Sequence, residues 1–201
     1  HHRRQLNAEM CSAKIYRILY IISVFIMFVL TAAALFTPGW RKFNRRSDGT
    51  IRFPGSSGLF SFLCASSNDA GGATGGGVDY CKEWFKSSEA WEQAVVICLC
   101  VAFAIESVTL VWSIITVVCS PLDTKGASAV LPFLTFLASI LVMFAATLYT
   151  VKKDTKIGYN IGKAYKQSTI GYSFYLAVNA CSVGVIATIL GGFAAACRGG
   201  G

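Results

Sequence analysis

Two cysteines in a long polar segment are the side chains best suited to covalent chemistry. Cys64 and Cys81 flank a glycine-rich stretch that runs from Ala65 to Gly77. A disulfide between them would close a loop, which stabilises a fold by about 3 kcal/mol in the chain-entropy model. The alternative is a pair of free thiols, which tend to oxidise on an extracellular segment. We therefore predict a disulfide in a loop outside the cell.

The remaining informative cysteines lie beside or inside long apolar runs. Cys119 and Cys197 stand where such runs end, and juxtamembrane cysteines of this kind are candidates for S-palmitoylation. Cys98, Cys100 and Cys181 lie within the runs, which favours core packing. Cys98 and Cys100 are too close in sequence to face one another on a helix, so no metal pair is predicted.

The groups that acid–base and nucleotide chemistry require are missing from this sequence. Its two histidines are His1 and His2, which leaves no histidine as a general base inside a folded site. No pair of carboxylates is placed for acid–base work. The stretch from Gly71 to Gly77 lacks the Gly-Lys-Ser/Thr ending of a phosphate-binding loop. We predict that the protein is not an enzyme and requires no cofactor and no metal.

Four apolar segments dominate the sequence, and each is long enough to cross a bilayer, which takes about 20 residues. Charged residues make up 14% of the chain, against about 25% in an average soluble domain. We predict a single domain over residues 1–201, an all-α membrane protein built as a four-helix transmembrane bundle. The predicted spans are about 16–38, 93–119, 127–151 and 171–197, with two long loops at about 39–92 and 152–170.

The charges that orient such a bundle give a mixed answer. An even number of spans puts both termini on one side of the membrane. The termini and the short turn carry six Lys or Arg, whereas the two long loops carry seven and five, so a simple positive-inside count would place the loops in the cytosol. The basic cluster beside the first span and the Cys64–Cys81 pair favour the opposite orientation. We predict a multi-pass plasma-membrane protein with cytoplasmic termini.

The first long loop contains two segments with the character of strands. Thr50 to Phe53 alternates polar and apolar residues, and Leu59 to Cys64 is rich in aromatic and aliphatic residues. Turn-forming residues at 54–58 separate them. This pattern predicts a small antiparallel sheet that stands on the membrane.

A set of residues in this loop forms a signature. It consists of Trp40, then Gly58, Leu59 and Phe60, then Cys64 and Cys81. With the four spans, it resembles the claudin superfamily, which includes claudins, the peripheral myelin and epithelial membrane proteins, and the stargazin-like calcium-channel gamma subunits. Phe60 replaces the usual Trp, and a glycine-rich insert widens the gap to Cys81. This divergence suggests an outlying group, for which the Clc-like branch is one candidate.

The resemblance implies roles for several residues. It implies a left-handed bundle capped by an extracellular sheet of about five strands, with Trp40, Gly58, Leu59 and Phe60 seating that sheet on the helices. In claudins the position after the second signature cysteine helps to set the charge selectivity of a paracellular pore. That position is Lys82, which would favour anions; the alternative is an ordinary solvated lysine. The basic residue that claudins place at the start of the second helix is not evident here.

Two further residues are candidates for contact with a partner. Glu106 lies near the middle of the second span, where an ionisable group is expensive. It is either a hydrogen-bonded acid that faces the bundle or a contact to another subunit. Tyr159 lies in the second loop among five lysines, which form either a solvated surface or a surface that binds a partner.

The predicted function is cell–cell junction formation or adhesion through the extracellular loops. The alternative is an auxiliary subunit that modulates an ion channel or receptor, as the gamma subunits do. The expected partners are membrane lipid and other membrane proteins, including further copies in the same or an opposing membrane. A cytoplasmic scaffold that binds a tail continuing past Gly201 is also expected. Nucleic acid is not an expected partner, because the basic residues alternate with apolar spans.

Overall fold

The computed structural model describes residues 2–43, 56–59, 90–118, 125–152 and 168–199. Four long helices account for most of this chain: α1 (His2–Phe36), α2 (Ala90–Val118), α3 (Lys125–Lys152) and α4 (Tyr172–Gly199). Within them, four segments are long and apolar enough to cross a membrane: Lys14–Phe36, Ala90–Val118, Ala129–Lys152 and Tyr172–Cys197. The prediction of four apolar helices that form a bundle is therefore confirmed.

Each helix packs against two neighbours, so the four form a closed ring. The sequence neighbours α1–α2, α2–α3 and α3–α4 are in contact, and α4 returns to pack against α1. The α1–α4 pair shares the most extensive contact and the α1–α2 pair the least. The last helix of the chain is therefore the main partner of the first.

Most of the helical surface faces outward, and it is apolar. Only 22% to 33% of each span is buried inside the protein. Large side chains such as Phe25, Phe133 and Ile186 are more than half exposed. In water such a surface would be unstable, whereas in a bilayer it is covered by lipid chains of the same polarity.

Small side chains fill the contacts between the helices. Ala102 of α2, Ala138 and Ala145 of α3, and Ala177 and Ala180 of α4 are fully buried. Small residues allow helix backbones to approach closely in a membrane, where dispersion contacts replace the hydrophobic effect. On α2 the buried positions recur every three or four residues. This is the spacing of contact positions between α-helices that wind around each other in a left-handed supercoil.

Three short strands form an antiparallel sheet at one end of the bundle. They are β1 (Arg41–Phe43), β2 (Ser56–Ser57) and β3 (Ser168–Ile170), in the order β2–β1–β3. Arg41 pairs with Ser57 on one side and with Ile170 on the other. The first two strands belong to the first long loop and the third to the second, so the bases of the two loops are joined. The remaining predicted strand residues, Thr50 to Phe53 and 60–64, lie outside the described residues.

Candidate functional site

Trp40 lies at the point where the sheet meets the bundle. Its side chain is 1% exposed, and its indole Nε1 donates a hydrogen bond of 2.6 Å to the carbonyl oxygen of Ala34 in the last turns of α1. The ring packs edge-on against Tyr149 of α3 and Phe174 of α4, with centroid separations of 5.0 and 6.4 Å. One side chain therefore connects three helices beneath the sheet.

The main chain of Trp40 is held as firmly as its ring. Its carbonyl oxygen accepts hydrogen bonds from the Tyr149 hydroxyl, at 2.9 Å, and from the Gly171 amide, at 3.0 Å. Leu59, another signature residue, is buried in the same apolar cluster, and its neighbour Gly58 is also buried. Three of the four residues predicted to seat the sheet thus lie at this junction; Phe60 lies outside the described residues.

Two glycines let the chain leaving α1 touch the chain entering α4. The amide of Ser173 donates to the Gly39 carbonyl oxygen at 3.0 Å. A Cβ atom on Gly171 would overlap that same carbonyl, and one on Gly39 would overlap the ring of Tyr172. Sequence reasoning missed this contact. Its only signals are a glycine just after the first predicted span and another at the start of the fourth.

A pair of hydroxyl groups adds to the same junction. Thr37 and Ser173 share a hydrogen bond of 2.6 Å between their side-chain oxygens. Ser173 is fully buried, and the hydroxyl of Thr37 also contacts the carbonyl oxygen of Ala33 at 2.6 Å. The end of α1 and the beginning of α4 are therefore joined by both side chains and backbone.

Glu106 lies inside the bundle, midway along α2. Its side chain is 1% exposed, and Oε1 accepts a hydrogen bond of 3.0 Å from the Thr31 hydroxyl of α1. The second oxygen, Oε2, is buried without a hydrogen-bond partner among the described residues. The acid thus joins α1 to α2, the pair with the least contact, and lies inside the bundle rather than on its outer surface.

The buried stripe of α2 continues beyond this acid as a row of hydroxyl groups. Thr109, Ser113 and Thr116 are buried, and each donates to a main-chain carbonyl three or four residues earlier. On α3, Thr135 does the same, and its oxygen also bonds the hydroxyl of Tyr20 on α1 at 2.8 Å. Hydroxyls paired within their own helix carry little desolvation cost in a membrane. Sequence reasoning missed this row, although the sequence shows Thr109, Ser113 and Thr116 at intervals of three or four residues after Glu106.

The remaining predicted site residues divide into two groups. Cys197 is an exposed free thiol near the end of α4, at the opposite end of the bundle from the sheet. The others lie outside the described residues, and their roles stay predictions: Phe60, Cys64, Cys81, Lys82, Cys119 and Tyr159. Within the described ranges, no group of three or more His, Cys, Asp or Glu side chains could hold a metal ion.

A comparison with protein-family models decides the identity of this arrangement. The model described as a claudin-like tight junction protein matches residues 10–197, which include all four helical spans and both long loops. The chain belongs to the claudin-like tight junction protein family. No curated protein sequence matches it.

Membership of this family confirms the resemblance that was inferred from the four spans and from signature residues such as Trp40, Gly58 and Leu59. This claudin-like protein is a four-span membrane protein, and its family points to a non-enzymatic role. The junction centred on Trp40 is then best understood as a structural base. It holds the beginning of the first long loop and the end of the second against the helices.

Proposed function

We propose that this claudin-like protein acts in cell–cell junctions as an adhesion molecule of the plasma membrane. In this proposal both long loops lie outside the cell and both termini lie in the cytoplasm. The two loops of a copy on one cell bind the two loops of a copy on a neighbouring cell. Lipid surrounds the spans, and a scaffold protein binds on the cytoplasmic side.

The pairing of β1 with both β2 and β3 is the observation that carries the proposal. It joins the first loop, through Arg41, to the second loop, through Ile170. A surface built from both loops and fixed to the bundle can keep a defined orientation toward a neighbouring cell. Two independent loops would lose more conformational entropy on binding, and so would bind more weakly.

The location of Glu106 bears on the alternative, an auxiliary subunit of a channel or receptor. That role would be favoured by an acid that projects from α2 toward lipid, where it could bind a partner helix. Glu106 instead faces Thr31 within the bundle. Adhesion through the joined loops is therefore the better supported function.

The proposal is tested by mixing three populations of cells that lack other claudins, of which the third expresses no copy and is silent. One population expresses a fluorescently tagged copy, and a second expresses a copy with a different tag. The fluorescence at contacts between two expressing cells is divided by the fluorescence at contacts with silent cells. We expect a ratio clearly above one. A ratio of one would refute adhesion between like molecules and favour the auxiliary role.

Two tyrosine variants refine this test. Tyr159→Ala removes an aromatic side chain from the second loop, and we expect it to lower the contact ratio. Tyr16→Ala is the matched control, because Tyr16 stacks on Phe193 at the far end of the bundle, with ring centroids 5.8 Å apart. An equal loss of the ratio in both variants would mean that Tyr159 plays no specific part in adhesion.

A further inference from the structure

The buried side chains of α2 change in chemical character at Glu106. Between this acid and the sheet, the buried positions closest to it are apolar: Val95, Leu99 and Ala102. Beyond it, towards the end that carries Cys197, the buried positions all carry hydroxyl groups: Thr109, Ser113 and Thr116. The third helix, α3, begins at this end and contributes the buried Thr135 and Ser139. The half of the bundle interior away from the sheet is therefore rich in hydroxyl oxygens.

These five hydroxyl groups have no hydrogen left for Glu106. Each of them donates to a carbonyl oxygen of its own helix, at 2.7 to 3.1 Å. Because a hydroxyl group has one hydrogen and two lone pairs, each presents an acceptor oxygen to the interior. Oε2 of Glu106 is buried without a hydrogen-bond partner among the described residues. The interior that these residues form therefore offers Oε2 no donor, whereas the hydrogens of a water molecule would supply one.

No basic side chain neutralises Glu106 in the middle of the four described helices. Across residues 18–36, 93–118, 129–151 and 172–197, this acid is the only charged residue. Arg17 on α1 comes 14 positions before Thr31 (31 − 17), and Glu92 on α2 comes 14 positions before Glu106 (106 − 92). At a rise of 1.5 Å per residue, each of these charges is about 21 Å away along its helix.

The other titratable groups around the interior do not supply a charge either. The buried and half-buried ones between the helix ends are phenols and thiols: Tyr20 on α1, Cys98 and Cys100 on α2, Tyr149 on α3 and Cys181 on α4. Phenols and thiols are ordinarily neutral near pH 7. An unpaired carboxylate at this depth in a membrane is far costlier than a neutral acid, so the protonated form of Glu106 is favoured.

We propose that the half of the bundle interior away from the sheet admits water, through which Glu106 exchanges a proton with the aqueous phase at that end. Water molecules donate to the oxygens of Thr109, Ser113 and Thr116, which we call the hydroxyl row, and one of them bridges to Oε2. Thr116 follows Glu106 by ten positions (116 − 106), about 15 Å along the helix. It lies two residues before Val118, where α2 ends. The hydroxyl row therefore spans the distance from the acid to the end of the helix.

The route towards the sheet offers water no such partners. Val95, Leu99 and Ala102 are fully buried and have no polar side-chain atom, and a buried water molecule needs two to four polar partners. Glu106 therefore exchanges its proton at one end of the bundle only. This inference does not rest on the adhesion role, because it concerns the interior of a single copy.

Infrared spectroscopy of the whole protein in phosphatidylcholine vesicles tests the protonation and the exchange. A protonated carboxyl group has a carbonyl stretch apart from the amide bands, and the band of Glu106 is the one that Glu106→Gln removes. Near pH 7 we expect this band to be present and to shift in heavy water as deuterium replaces the hydrogen of the acid. Thr109→Val removes one acceptor oxygen at almost constant volume and should slow the shift about tenfold. Thr147→Val removes an exposed hydroxyl that is also bonded within its own helix, and should leave the rate unchanged.

A pair of cysteine variants tests the direction of entry with Glu106 left intact. Leu99 and Ser113 are both buried on α2, and each lies seven positions from Glu106, on opposite sides (106 − 99 and 113 − 106). In a Cys197→Ser background, Leu99→Cys and Ser113→Cys are treated with a small water-soluble methanethiosulfonate, and the modified position is identified by peptide mass spectrometry. We expect the thiol at position 113 to react about tenfold faster than the thiol at position 99.

Three results would overturn the proposal. The absence of a carboxyl band that depends on Glu106 would mean that the acid is ionised. A deuterium shift that Thr109→Val slows no more than Thr147→Val would mean that the hydroxyl row takes no part in the exchange. Equal reaction of the thiols at positions 99 and 113 would mean that water does not enter from the end away from the sheet.

Discussion

At the scale of single residues, Glu106 joins α1 to α2 through a hydrogen bond from Thr31. It is a fully buried acid in a span, yet only one of its oxygens has a hydrogen-bond partner among the described residues. The partner, Thr31, comes from the helix that contacts α2 least. The depth of Glu106 was predictable from its place in an apolar run. The direction of its side chain was not predicted, although Thr109, Ser113 and Thr116 follow it at intervals of three or four residues on one face of α2.

A comparison of Thr31→Val with Glu106→Gln tests this bridge. Gln keeps an oxygen that can accept from Thr31, so we expect the free energy of unfolding to change by less than about 1 kcal/mol. Val removes the donor and leaves both carboxyl oxygens buried without a partner, which should cost about 1–3 kcal/mol. Unfolding is followed in mixed detergent micelles as the fraction of denaturing detergent rises.

The control for this pair is Thr147→Val. The hydroxyl of Thr147 is exposed and donates to the Met143 carbonyl oxygen of its own helix at 2.8 Å. The loss of this hydroxyl should therefore change the free energy of unfolding by less than about 0.5 kcal/mol. If Glu106→Gln destabilised the protein as much as Thr31→Val, the Thr31 hydrogen bond would not be what holds the acid.

At the scale of elements, the helices themselves could be predicted from the sequence, whereas the contact between the ends of α1 and α4 could not. The apolar runs predicted four helices because length and hydropathy suffice to mark a span. They did not predict the contact between Gly39 and Gly171. That contact depends on where two chain segments, far apart in sequence, cross in space. Glycines near helix ends are common, so neither residue was distinctive by itself.

Gly171→Ala and Gly192→Ala form a matched pair that tests the crossing. A Cβ at Gly171 would overlap the Gly39 carbonyl oxygen, whereas one at Gly192 would meet nothing within 4 Å. We expect Gly171→Ala to lower the free energy of unfolding by about 1–3 kcal/mol, as overpacking does. Gly192→Ala should be neutral or slightly stabilising, because alanine favours a helix. Equal effects in the same detergent titration would refute the close crossing.

For the whole molecule, the ring of four helices and the joined loops define two ends of different character. One end carries the three-stranded sheet, and the other carries the exposed thiol of Cys197. The sequence predicted four spans with both termini on one side, but its charges could not decide which side. Basic residues are distributed over both ends, so the electrostatic signal nearly cancels.

Labelling of Cys197 in intact cells tests the orientation. Hydroxylamine first releases any thioester-linked acyl chain, and a membrane-impermeant maleimide is then applied. With cytoplasmic termini, we expect Cys197 to react only after the membrane is permeabilised. Lys82→Cys, in the first loop, is the control and should react from outside. Labelling of Cys197 in sealed cells would reverse the orientation and remove the basis for adhesion.

The hydrogen bond from the Gly171 amide to the Trp40 carbonyl imposes an order on biosynthesis. Its two residues are 131 positions apart (171 − 40), and a chain grows from its N-terminus at about 5–20 residues per second. The end of α1 therefore reaches the membrane well before its partner exists. Until α4 emerges from the ribosome, the indole of Trp40 lacks one wall of its pocket. Nascent chains stalled before the fourth helix should therefore be the form that membrane quality-control machinery recognises and removes.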